Sequence, residues 1–234
     1  MGYSKKEEIA KVRKERREAK AAKKRNVDIR EKLVRFLIVC EGSKTEPHYF
    51  ESLIENCIST VREVKIEGEG MATVALVNKT LEIKNDLEHR NAMHFDRVWV
   101  VFDKDDFNDF DEAIKKADKL GFHSAWTNEA FELWYFLHFE YLDTGIGRAD
   151  YIRKIEDAFR KRMNNPNFRY KKGDPDIYEL LQQYGREDLA KKYAKELRKL
   201  YSNKNYSTYK PCTMVDKLVK ELESPESLLK KQKN

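Results

Sequence analysis

With 234 residues, 40% of them apolar and 12% aromatic, the chain can bury a substantial core, which excludes a wholly disordered protein. The formal net charge of +6 is uneven: residues 1–30 hold 12 Lys/Arg against 5 Asp/Glu, while the other 204 hold 35 against 36. The basic excess therefore belongs to an N-terminal arm, suited either to contact with phosphates or to life as a solvated helix, and not to the body.

In chain order, residues 4–26 are strong helix formers with almost no apolar stripe, which predicts a solvated helix or a disordered arm. Val34–Cys40 is apolar almost throughout, as in a strand covered on both faces. Thr45 has the character of an N-cap, Pro47 fits a first turn, and Phe50, Leu53, Ile54, Cys57 and Ile58 recur at helical spacing. A short strand is expected over Val61–Ile66, a loop over "EGEGM", and a helix over Ala72–His89. Arg97–Phe102 is a second intensely apolar strand, followed by a helix over Asp109–Leu120 closed by Gly121, a strand over Phe122–Trp126, and an aromatic helix over Ala130–Phe139. Strands alternating with helices predict an α/β fold with a parallel sheet flanked by helices. After Glu140 only helical patterns remain, near 149–163, 176–183, 186–201 and 213–223, and the last dozen residues are expected to fray. The division this implies is a basic arm over 1–30, an α/β core over 31–142, and a mostly helical region over 143–234 packed on the core.

No run of about 18 apolar residues offers a membrane span, and the charged N-terminus does not resemble a secretory signal. Cys40, Cys57 and Cys212 have no C-x-x-C spacing and are odd in number, which argues against disulfides or a cysteine zinc site. Together these features predict a soluble protein of a reducing, cytoplasmic compartment.

The two most apolar strands each end on acids. Glu41 follows "LIVC", and "VFDKDDF" brings Asp103 and Asp105 in a D-x-D spacing with Asp106 beside them. In an open parallel sheet, ligands bind outside the carboxyl ends of the strands. Three carboxylates gathered there repel one another unless a cation neutralises them, and hard oxygen donors suit Mg²⁺ or Mn²⁺. The competing reading is that each acid caps the next turn or helix. "EGSKT" is similar to the end of a P-loop, but no glycine lies five residues before Gly42, so a nucleotide-binding P-loop is rejected. Lys44, at the start of a helix, remains suited to holding a phosphate as a point charge.

"FLIVCEGSKTEPHYFESL", "VWVVFDKDDF", "NEAFELWYFLHFE" and the late "KPCTMVDKLVKEL" resemble the RloB-like proteins of prokaryotic restriction and phage-defence loci. That family's core in turn looks like a Toprim domain, so the resemblance implies a Toprim-like sheet with Glu41, Asp103 and Asp105 as metal ligands. It also implies phosphoryl-transfer chemistry with Mg²⁺ or Mn²⁺ in an anti-phage nuclease. Lys44 and Glu132 complete the expected catalytic set. Glu132 faces either the metal edge or a buried arginine, and His138 is either a core histidine or a site residue. His48, two turns beyond Glu41, is more naturally a surface histidine. Glu129 stands where the family often has proline, and no catalytic role is assigned to it.

Residues 165–210 hold seven of the 12 tyrosines, interleaved with basic residues. Such a mixture suits single-stranded nucleic acid, DNA or RNA, where bases stack and phosphates pair. Arg169, Tyr170, Lys171, Lys172, Lys204, Tyr206, Tyr209 and Lys210 are the candidates for that contact, whereas Tyr193 and Tyr201 follow a helical apolar stripe and are expected to pack. A defence-system partner protein, an oligomer, and a non-catalytic binding module remain open alternatives.

Overall fold

The computed structural model describes residues 34–57, 62–71, 73–104 and 106–231. The basic arm and Asp105 lie outside the described residues. Four parallel strands form one sheet: β1 (Val34–Cys40), β2 (Arg62–Gly68), β3 (Arg97–Lys104) and β4 (His123–Asn128), in the spatial order β2-β1-β3-β4. They alternate with α1 (Thr45–Asn56), α2 (Thr73–Asn91) and α3 (Phe110–Lys119), after which come α4 (Glu132–Phe136), α5 (Arg148–Met163), α6 (Ile177–Tyr184), α7 (Glu187–Lys199), α8 (Val215–Glu223) and α9 (Glu226–Lys231).

Because side chains alternate across a strand, β1 divides its apolar residues between two faces. Phe36, Ile38 and Cys40 pack with Trp99 and Val101 against Tyr49, Phe50 and Leu53 of α1 and the aromatic run of α4, and the same core continues into α5 through α8. Leu37 and Val39 pack with Val98, Val100 and Phe102 against Leu76 and Val77 of α2 and Phe110, Ala113, Ile114 and Ala117 of α3. Burial on both faces is why β1 and β3 read as continuous apolar runs. Full burial of each such side chain contributes roughly 1.5–3 kcal/mol.

The elements depart from the sequence reading in three instructive places. Thr45 is the first residue of α1 rather than its cap, and Lys44 occupies the cap position with no side-chain capping bond. The aromatic helix is only Glu132–Phe136, because the turns on either side bond three residues back, as in Trp134 N to Phe131 O and Phe139 N to Phe136 O, while Phe131 through His138 are all buried. The tail expected to fray contains α9, whose Leu228 is buried against the core.

Beyond α7 the chain returns to the sheet. Asn128 N donates to Cys212 O at 2.9 Å, Met214 N donates to Trp126 O at 2.9 Å, and Thr127 and Thr213 form an antiparallel bridge with their hydroxyls 2.9 Å apart. The segment around Pro211–Thr213 thus borders the outer side of β4.

Candidate functional site: an acidic crevice at the switch point

The loops after β1 and β3 leave the sheet on opposite faces, since α1 packs on one side and α3 on the other. Neighbouring parallel strands that diverge in this way open a crevice at their carboxyl ends. The register sets what fills it. Cys40 pairs with Val101, so Glu41 extends one residue past β1, just beside Asp103. Glu41 N donates to Val101 O at 2.8 Å, and Glu41 Oε2 accepts the Asp103 backbone N–H at 3.0 Å.

Asp103 lies at the level of Thr127 in β4 and is only 9% exposed. Its Oδ2 accepts the Phe131 N–H at 3.0 Å, and Arg148 Nη2 stands 3.8 Å from the same oxygen. Burial pushes the Asp103 carboxyl well above the usual carboxylate range, and the nearby charges of Glu46, Glu132 and Glu41 push it further.

Glu46 is the residue that the sequence argument passed over. It sits in the first turn of α1, is 6% exposed, and its Oε2 is buried without a hydrogen-bond partner. Burial raises its carboxyl; its own backbone N–H, Lys172 and Arg148 pull against that rise, and Glu132 adds to it. The carboxylate folds back over Gly42, where any Cβ would collide with Glu46 Oε2. That close approach is what the glycine after Glu41 is for. An acid in a helix's first turn usually reads as a partner for the helix dipole, so its spacing alone does not single it out.

Glu132, 1% exposed, begins α4 and accepts the Tyr170 hydroxyl on Oε1 at 3.3 Å. A buried carboxylate of this kind is costly unless bonded. The expected alternative of a buried arginine partner is replaced here by a tyrosine 38 residues away in sequence.

Two cationic margins flank the acids. On the β1 side, Ser43, Lys44 and Thr45 line a cavity of about 390 Å³ together with Lys172 and Gly173, with Glu46 in its wall. His48 ties the Gly173 loop to α1 through Nδ1 and Gly173 O, 3.0 Å apart. On the β4 side, Lys104, Arg148 and Lys210 line a second cavity of about 370 Å³.

The other predicted contact residues are spread more widely. Arg169, Lys171 and Lys204 are exposed, and Arg169 lies 3.7 Å from Glu156. Tyr170 is buried on Glu132, so its ring is withdrawn from the surface. Tyr209 is also buried, stacked on Tyr201 with centroids 4.4 Å apart, and Tyr206 packs on Trp126. His138 is enclosed beside α7, with Nδ1 2.9 Å from Trp134 O, and burial lowers it to about 4. Asp109 and Asp111, from the same acidic stretch as Asp103, are structural: Asp109 accepts from Thr73 Oγ1 and Val74 N, and Asp111 from Ser207 N and Oγ.

The donor set at the crevice is all hard carboxylate oxygen, with one buried oxygen unpartnered, which fits Mg²⁺ or Mn²⁺ chemically. Among the described residues, no three His, Cys, Asp or Glu side chains stand in an arrangement that would by itself hold a metal ion. Nor, among them, is any helix long and apolar enough to cross a membrane.

The fold and crevice define an α/β protein with an acidic site at the switch point of a parallel sheet. The model of the RloB-like protein family matches residues 36–222, from the start of β1 to the end of α8, and the chain belongs to that family. Comparisons with curated proteins and with solved structures return no match.

Proposed function

We propose that the chain is a divalent-metal-dependent nuclease that hydrolyses phosphodiester bonds of DNA or RNA, tRNA included, in prokaryotic anti-phage defence inside the cytoplasm. The observation that carries this reading is Glu46 Oε2, a buried carboxylate oxygen without a partner, set among Glu41, Asp103 and Glu132. A protein that needed these acids only for folding would satisfy or neutralise them. The likeness of the family's core to Toprim domains supports the same reading.

Glu41, Glu46 and Asp103 are the described acids at the crevice; since no three described side chains form a metal-holding group on their own, they would hold Mg²⁺ or Mn²⁺ together with Asp105, the ligand expected from the D-x-D spacing. When bound, the ion supplies Lewis-acid polarisation of a phosphoryl oxygen. The protein's own residues do the rest. Lys44 and Lys172, exposed on the rim beside Glu46, attract and place a phosphate with the N-terminus of α1 behind them. Arg148, close to Asp103, offsets part of the acidic charge. Glu132 and Tyr170 form the floor that keeps water out from the α4 side.

Incubation with labelled DNA and RNA in Mg²⁺ and Mn²⁺ tests the reading. Wild type is expected to cut, and Asp103→Asn to lose about 10³-fold or more in rate with its thermal midpoint retained. Undiminished cutting by Asp103→Asn would sink the assignment of chemistry. A second reading, a nucleic-acid- or partner-binding module without catalysis, is favoured by one observation: Glu41 Oε2 and Asp103 Oδ2 are already taken by backbone N–H groups. Binding without cleavage by wild type at any metal concentration would select it.

A further inference from the structure

The cavity on the β4 side is bounded by residues other than Glu41, Glu46, Asp103 and Glu132, and its wall is polar, with three cations and two acids. Lys104 ends β3 opposite Asn128 of β4, Arg148 opens α5, and Lys210 comes from the segment that returns to the sheet. Three cations converge there against the carboxylates of Asp106 and Glu129. Arg148 and Lys210 are tied to the wall by bonds to Glu129. Arg148 Nη2 donates to Glu129 O at 3.3 Å, Lys210 Nζ lies 2.5 Å from Glu129 Oε2, and Asn128 Nδ2 donates to Ser207 O at 3.0 Å. Glu129 itself is held at φ 84°, a conformation costly for any residue but glycine. The chain thus strains its backbone at a residue that both Arg148 and Lys210 grip.

A second observation lies one residue beyond the wall. Asp106, in the cavity wall, is followed directly by Phe107, whose ring is 52% exposed. Among the described residues the other large aromatics are buried or half-buried, so an exposed aromatic one residue from the cavity wall needs a reason. Cations next to an exposed ring make the combination that single strands use, phosphates pairing with the charges while a base stacks on the ring. A duplex keeps its bases stacked inside and offers the ring nothing comparable.

We propose that the cavity of Lys104, Arg148 and Lys210 takes a backbone phosphate of an unpaired nucleic-acid stretch, and that the adjoining base stacks on Phe107. This inference rests on the phosphodiester reading of the neighbouring acids and narrows it to unpaired nucleotides. It also moves the main contact away from the tyrosine-rich segment. Lys210 is the one residue shared with the sequence expectation.

The test is fluorescence anisotropy of the full chain in EDTA at low salt, with a labelled single strand of about a dozen nucleotides and the matching duplex, each as DNA and as RNA. The single strand is expected to bind about tenfold or more tighter than the duplex. Phe107→Ala is expected to weaken single-strand binding about tenfold, and Lys104→Gln with Lys210→Gln to weaken it and flatten its salt dependence. Phe107 and Lys210 are exposed, so unchanged thermal midpoints confirm that these variants fold. Equal binding of duplex and single strand, variants that bind as wild type does, or no binding of any strand overturns the inference. Because no cleavage is read, an inert but strand-binding protein would refute the nuclease while leaving this inference standing. A protein that cuts with its Phe107 and lysine variants unimpaired would do the reverse.

Discussion

Two groups of acids lie inside this protein, and folding treats them in opposite ways. In the helical layer, Lys191 Nζ lies 2.5 Å from Glu187 Oε1 and 2.7 and 2.5 Å from the two Glu223 oxygens. Burial, with a hydrogen bond donated to Glu187 next, lifts Glu223 to about 7. Against the same upward pull of burial, hydrogen bonds with Glu223 and Lys191 hold Glu187 below its ordinary value. That pair comes with a lysine and a shared proton of its own. At the switch point, Glu46 and Asp103 are both pushed upward, an oxygen of Glu46 has no partner, and Arg148 stands 3.8 Å from Asp103. The helical-layer pair is neutralised from within the chain, whereas the crevice acids are left in mutual repulsion, the feature on which the proposed metal site rests.

The contrast can be broken by substitution and pH. The largest stability effect is expected at His138, which faces the Glu187 and Lys191 side and is lowered by burial to about 4. The folded state then holds fewer protons than the unfolded chain between pH 4 and 6.5, so stability falls as pH drops through that window, by about 3 kcal/mol if the shift is fully realised. Urea midpoints at pH 6.5 and 4 should show a smaller loss in His138→Gln than in wild type. An equal loss would mean that other groups carry the acid sensitivity.

Next in size, Lys191→Met should destabilise by about 2 kcal/mol at pH 8, because it leaves two half-buried carboxylates facing each other. The loss should shrink toward pH 5. Glu223 is raised, so its favourable protonated form is present below the unfolded value and is lost as pH rises through about 7.

The opposite sign is expected at the crevice. Glu46→Gln removes a charge that the fold disfavours, and should stabilise the metal-free protein by about 1 kcal/mol at pH 7.5 while suppressing cleavage. Thermal melts in EDTA would show it; a destabilised Glu46→Gln would place Glu46 with the structural acids. Smallest of all, Glu129→Gly relieves the φ of 84° but gives up the Lys210 pair, for a net change within about 1 kcal/mol by chemical denaturation.

Much of the fold was legible because β1 and β3 are continuous apolar runs and α1, α3, α7 and α8 carry amphipathic spacing. The observed limits of α5 and α6 differ by a residue from the pattern. Less legible was whatever depends on distant chain. Nothing local to Glu132 reveals Tyr170, and nothing in "KPCT" announces that it runs beside β4. Glu41 and Asp103 stood out because each follows directly on an apolar run, and the order β2-β1-β3-β4 puts β1 and β3 side by side. Glu46 did not stand out, because a carboxylate in a first helical turn is common and only its depth of burial makes it unusual. The tyrosines of 165–210 misled for a related reason: a Tyr beside a Lys reads as an interface, although Tyr170 and Tyr209 spend their rings on packing.

The return of Cys212–Met214 to β4 joins residues 86 positions apart at the Thr127–Thr213 pair. It is one of several long-range closures that complete the molecule, beside His48–Gly173 at a separation of 125 residues. During synthesis, β4 would emerge with its outer N–H and C=O groups bare, ready to pair with the same strand of another nascent chain. The closing segment covers part of that margin, and a chain truncated before Pro211 would carry the whole sheet with the outer side of β4 open.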